Sequence, residues 1–127
     1  MKSLILTVVL CALFAIPLGA QGRIQPVWTE YPLIAMAAGI QGQVELTALV
    51  DKTGKIQRVQ ILSGQPILAK DAQTNLEKWI FATADAEQQV VVTYIYILDQ
   101  RVTGKRMEFD GRTKTITIAT ARPPVAP

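Results

Sequence analysis

The chain has 127 residues, half of them hydrophobic, with 13 Lys and Arg against 10 Asp and Glu, a formal charge of +3 and no histidine. That length supplies one core and one domain. The small excess of bases, interleaved with acids, reads as solvated surface rather than the concentrated basic face that a nucleic acid requires. With no imidazole and a single cysteine, Cys11 inside an apolar leader, the composition excludes zinc clusters of Cys and His, disulfides within the rest of the chain and every His-dependent triad.

Met1 and Lys2 give a positive start, residues 4–16 carry no charge, and Pro17, Leu18, Gly19 and Ala20 close the run before Gln21. As a helix, 4–16 would rise about 20 Å, short of the ~30 Å hydrocarbon core of a bilayer. A secretory signal peptide cleaved after Ala20 fits better than a spanning anchor. Leu18 is bulky where a cleavage site prefers a small side chain, so a retained marginal anchor is the alternative, and membrane contact is expected only in that case. Leu10 before Cys11 argues against lipoprotein processing. The expected organisation is a signal peptide over 1–20, an extended lead-in over 21–30, one domain over 31–120 outside the cytoplasm, and a disordered Pro-rich tail over 121–127.

Pro26 and Trp28 mark the lead-in, and Trp28 is expected to pack on the domain. Tyr31 and Pro32 enter a short helix, Pro suiting a first turn whose N–H needs no partner. Leu33, Ile34, Met36, Ala37 and Ala38 continue it, and Gly39 or Gly42 supplies the left-handed residue that ends it. From Gln43 the period is two: Val44, Leu46, Ala48 and Val50 point one way, Gln43, Glu45 and Thr47 the other, a half-buried strand. Asp51, Lys52, Thr53 and Gly54 form a hairpin turn with Gly54 at positive φ. Ile56, Val59 and Ile61 line the return strand, and their uneven spacing implies a bulge.

Ser63, Gly64, Gln65 and Pro66 punctuate the chain before a second helix. Leu68, Ala72, Leu76 and Trp79 recur at helical spacing with Lys70, Gln73, Thr74 and Glu77 opposite, predicting an amphipathic helix across the sheet that ends in Trp79, Ile80 and Phe81. After a polar connection over 83–89, residues 90–98 are dense in Val, Ile and Tyr and apolar on both faces, as in a central or doubly covered strand. Asp110 and Gly111 turn a hairpin between 105–109 and 113–120.

Catalytic chemistry finds little to stand on. Among Glu30, Glu45, Asp51, Glu77, Glu87, Asp99, Glu108 and Asp110, the aspartates at 51 and 110 sit where turns want them. Glu45 and Glu77 lie on polar faces, and no spacing pairs two carboxylates. Ser63 beside Gly64 lacks the G-x-S-x-G surroundings of a nucleophile, and no glycine run forms a phosphate-cradling loop. No catalytic residue, metal site, cofactor or small-molecule substrate is therefore expected. Tyr94 and Tyr96 either fill core positions or flank a docked strand, where alternate side chains give specificity. Tyr31 divides in the same way between packing at the helix entrance and ligand contact.

Tyr31 with Pro32, Ala35, Ile40, Gly42, Val44, Asp51, Gly54, Val59, Ser63 with Gly64, Trp79 and Phe81 together resemble, in order and spacing, the C-terminal domain of the TonB family of energy transducers, over 31–98. The resemblance implies a two-layer α+β fold: two helices packed on an antiparallel sheet of three strands, to which the C-terminal hairpin adds. It also implies a non-catalytic periplasmic domain that grips a periplasmic segment of an outer-membrane protein by strand addition, main-chain hydrogen bonds supplying affinity. The family's peptide-facing strand corresponds to 90–98, so partner binding is expected at Tyr31, Val92, Tyr94 and Tyr96. The chain departs from the family in four respects. It has no histidine of the kind the family's anchor carries, only 21–29 in place of a long spacer, and no Pro or Gly between 82 and 89. It also has an extra hairpin that would fill the docking edge if paired beside 90–98. A stand-alone periplasmic adaptor without energy coupling is the alternative, and a homodimer is left open beside the monomer.

Overall fold

A computed structural model describes residues 24–121. The signal peptide expected over 1–20 and the tail beyond 121 lie outside the described residues. Among those described, no helix is long and apolar enough to cross a membrane. The elements are α1 (Leu33–Ala38), β1 (Gly42–Val50), β2 (Ile56–Ser63), α2 (Pro66–Leu76), β3 (Gln88–Leu98), β4 (Lys105–Asp110) and β5 (Thr115–Thr120).

The strands form one five-stranded sheet in the order β2-β1-β3-β5-β4. It is a mixed sheet and not the purely antiparallel one expected: β5 runs parallel to β3, while the other neighbouring pairs are antiparallel. The cause lies in the two hairpin strands. In β5, Ile116 and Ile118 are fully buried, whereas β4 alternates Lys105, Arg106, Glu108 and Asp110 with half-buried Met107 and Phe109. Burial favours the apolar strand inside the sheet and the charged one at its rim. The chain therefore leaves β3, passes over one strand position to lay down β4, and turns back into the gap as β5.

Gly39 ends α1 in the left-handed region, its φ being 72°, as the sequence predicts. Gly54 closes the β1–β2 turn at φ 91°, and a Cβ there would lie 1.9 Å from the Phe81 carbonyl oxygen, so no other residue fits. The Asp51 carboxylate organises that turn, accepting from the Thr53 amide at 2.9 Å, the Thr53 hydroxyl at 2.6 Å and the Lys55 amide at 3.0 Å. Strand β2 carries the expected irregularity, with register shifts at both ends of its pairing with β1.

The second helix differs from its prediction at its C-terminus. It stops at Leu76, and Trp79 follows through a turn in which its amide donates to the Leu76 carbonyl at 3.0 Å. Ile80 is extended, bridging Gln25 and Lys55. Trp79 still reaches the core, 2% exposed, with Phe109 edge-on at 5.1 Å. The lead-in is tied down by Val27, partly buried, and not by Trp28, which is 55% exposed. Strand β3 is central, as its two apolar faces imply.

Candidate functional site

Along β3 the side chains alternate between the helical layer and the uncovered face of the sheet. Val92, Tyr94 and Tyr96 point into the core, at most 1% exposed, and Tyr31 joins them from the entrance of α1, 4% exposed. The structure thus gathers three of the four residues singled out from the sequence into one aromatic cluster. The Tyr31 and Tyr96 rings meet edge-on at 5.4 Å, and Tyr94 stacks on Tyr96 at 6.3 Å. Val92 lies one step further along the same face. None of the four presents its side chain to solvent.

The Tyr31 hydroxyl donates to the Ile40 carbonyl, and the polar tips of Tyr94 and Tyr96 are held from α2. The Tyr96 hydroxyl donates to Asp71 Oδ2 at 2.7 Å, and the Tyr94 hydroxyl donates to Asn75 Oδ1 at 2.6 Å. Trp79 Nε1 donates to the same Asn75 oxygen at 2.8 Å, and Asn75 Nδ2 donates to the Val27 carbonyl at 3.0 Å. Asn75 is the organiser that sequence reasoning passed over. Its signal is its position, four residues before Trp79 and three after Ala72, inside the apolar stripe of the helix. A buried amide there must be satisfied, and among the described residues every buried side-chain nitrogen and oxygen has a partner. Burial pushes the Tyr31 phenol up to about 12 and the Tyr94 and Tyr96 phenols far above their ordinary value. It also raises the Asp71 carboxyl, against the lowering effect of the Tyr96 hydrogen bond and the Lys78 charge.

Recognition by main chain depends on the edges. On one flank β3 pairs with β1 over residues 88–96, from Gly42 opposite Tyr96 to Val50 opposite Gln88. On the other flank β5 pairs only with residues 93–98. The pairing stops because the hairpin loop turns away at Lys114, which has φ 53° and is the one positive-φ residue other than glycine among the described residues. The last link is the Thr93 amide donating to the Lys114 carbonyl at 3.0 Å. Strand alternation then fixes what remains. Since Thr93 aims its N–H at the β5 side, Val91 and Gln89 aim theirs, with their carbonyls, along the same flank, where no described strand lies.

Beside this open stretch is a cleft of about 230 Å³, floored by Ile24, Val50, Phe81 and Val90 and lipped by Asp51 and Lys114. The Thr53 hydroxyl, followed by the Lys55 and Thr53 amides and the Gln57 side chain, holds the Asp51 carboxyl below its ordinary value, so the lip keeps its negative charge. The arrangement can pair a short extended segment and seat one apolar side chain; it brings together no acid–base pair.

The rims of the sheet differ. At β2 the register shifts disturb the edge, and Gln73 Nε2 from α2 caps the outward Val59 carbonyl at 3.3 Å. At β4 the pairing with β5 runs without a shift over the whole strand.

Comparison with known proteins gives a consistent result. The family described as Gram-negative bacterial TonB protein C-terminal matches residues 29–98. The protein named Protein TonB from Salmonella typhimurium strain LT2 is 32% identical over 89 residues, covering 67% of this chain and 36% of that protein. The match thus spans little more than a third of its relative's length.

Proposed function

The chain belongs to the TonB C-terminal family, and from that premise we propose that it is a non-catalytic periplasmic interaction domain that takes up a partner segment by strand addition. The partner is a periplasmic segment of an outer-membrane protein, and the docking line is the open stretch of β3 over residues 88–92. The observation that carries this reading is the outward-facing main chain of Gln89 and Val91 beside an apolar cleft.

Two residues offer two donors and two acceptors, each hydrogen bond contributing about 0.5–1.5 kcal/mol net. Backbone pairing alone therefore falls short of the ~8 kcal/mol of a micromolar complex. One apolar side chain buried in the cleft adds roughly 1.5–3 kcal/mol, so the preferred segment is short, extended and carries a Val, Leu or Phe-like residue. In this reading Val92 borders the docking line. Tyr94, Tyr96 and Tyr31 hold β3 straight from beneath and meet a partner directly only where the β4–β5 hairpin is displaced.

A second reading, an adaptor with no energy coupling, is favoured by the hairpin, which takes up the edge over 93–98. Calorimetric titration with synthetic peptides from the periplasm-facing segments of outer-membrane transporters separates the two. Strand addition predicts saturable binding that disappears in Val91→Pro while circular dichroism is unchanged. Absence of binding by every peptide supports the adaptor, and undiminished binding by Val91→Pro rules out this edge.

A further inference from the structure

The outer edge of β4 has a self-complementary chemistry that the docking stretch of β3 does not use. In the β3–β5 ladder the Thr93 amide donates to the Lys114 carbonyl and the Asp99 amide to the Thr120 carbonyl, so even-numbered residues of β5 face β3. Odd-numbered ones face β4, where Thr115, Thr117 and Ala119 oppose Asp110, Glu108 and Arg106. Lys105, Met107 and Phe109 are left with their N–H and C=O groups directed away from the sheet. This edge is regular, unlike the shifted and Gln73-capped edge of β2.

We infer that β4 pairs antiparallel with β4 of a second copy of this chain, about a twofold axis at Met107, joining the two sheets into one. In that register Met107 faces Met107 and Lys105 faces Phe109, all with outward main-chain groups, so the ladder closes. Arg106 then opposes Glu108 of the other copy, twice, at non-hydrogen-bonded positions where cross-strand side chains come closest.

The same charges disfavour the alternatives. Sliding so that position 106 faces itself sets Arg106 on Arg106, and sliding so that position 108 faces itself sets Glu108 on Glu108. Parallel pairing opposes both like pairs. Charged side chains on an edge strand usually bar association; here their order selects one register. Within one chain Arg106 and Glu108 approach only to 3.8 Å, with side chains 63% and 67% exposed, so both are free to re-pair. Because the two sheets would continue across a perpendicular twofold, the helical layers fall on the same side, and residues 88–92 of β3 stay free in each copy.

Sedimentation equilibrium of the exported protein, the R106E and E108R variants, and their equimolar mixture tests this. The wild type should dimerise reversibly. Each single reversal, placing like charges opposite one another twice, should weaken dimerisation by about tenfold or more. The mixture should restore it as a heterodimer, because the all-acidic edge of one variant meets the all-basic edge of the other. The double variant R106E/E108R should dimerise like the wild type. A wild type monomeric throughout, leaving the edge to a foreign strand, would overturn the proposal. So would a dimer indifferent to either reversal, or a mixture in which no heterodimer forms.

Discussion

The two halves of β3, Gln- and Val-rich over 88–92 and Tyr- and Ile-rich over 93–98, meet different fates. Over 93–98 the strand is paired with β5, and with β1 as well up to Tyr96, with Tyr94 and Tyr96 stacked beneath it and hydrogen-bonded to Asn75 and Asp71. Over 88–92 it has one flank only, and Gln88, Gln89 and Val91 are exposed. Both composition and neighbour distinguish them: the tyrosines fall where β5 lies alongside and the backbone is used for folding, and the glutamines fall where Lys114 turns the chain away and that flank of the backbone is left unpaired.

The sharpest way to break the consolidated half is at its base. Trp79→Ala removes a ring packed on Phe81, Tyr94 and Phe109 and should cost roughly 3–5 kcal/mol, read from the midpoint of denaturant unfolding. Asn75→Ala leaves the Trp79 N–H and the Tyr94 hydroxyl without their acceptor in a buried site, and should cost about 2–4 kcal/mol by the same measurement.

A proline scan sharpens the contrast. Ile95 has the same parity as Thr93, so its N–H serves the β5 ladder, and Ile95→Pro should lose about 1–3 kcal/mol. Val91→Pro removes an outward donor on a strand with no neighbour there, and its side chain is 52% exposed. It should change stability by about 0.5 kcal/mol or less. Equal losses at the two positions would mean that the halves are not distinct.

At neutral pH the tyrosine cluster has no titration effect, and its signature emerges only in alkali. All three tyrosines of the chain lie in it, each with a phenol raised above its ordinary value of 10.0 in the fold. A group whose folded value is raised contributes stability that is complete below the unfolded value and is lost as pH climbs through the folded one. Tyrosinate absorbance should therefore stay flat through pH 10 and rise together with unfolding. A gradual rise centred near 10, with the fold intact, would mean that the ring cluster is open to solvent.

Much of the consolidated part was legible because local rules and burial agree there. The alternation of Val44, Leu46, Ala48 and Val50 sets the face of β1, Gly39 and Gly54 mark positions requiring a positive φ, and Asp110 with Gly111 locates the last turn. The helix end was not legible, since Trp79 keeps the apolar spacing after the helical hydrogen bonds have stopped. Trp28 misleads because a large apolar residue in a lead-in suggests packing, whereas Val27 takes the inner position and its carbonyl accepts from Asn75.

The strand order was legible only in part. That the hairpin exists follows from its turn, but that β5 enters beside β3, parallel to it, depends on a competition between two strands for one buried slot. Of the four candidate binding residues, Val92, Tyr94 and Tyr96 lie on β3 and Tyr31 precedes α1, and the side chains of all four face the core. The groups left without a strand neighbour are the main-chain N–H and C=O of Gln89 and Val91, which no side-chain pattern reveals. Parity from a known ladder bond does reveal them.

Residue-resolved hydrogen exchange at Gln89 and Val91 is the most direct test of the docking line. In the free protein these two amides should exchange quickly while Thr93 and Ile95 are protected, and a bound peptide should slow both without altering the others on β3. Protection of Gln89 and Val91 before any peptide is added, or exchange at both that a saturating peptide leaves unchanged, would contradict strand addition along this stretch.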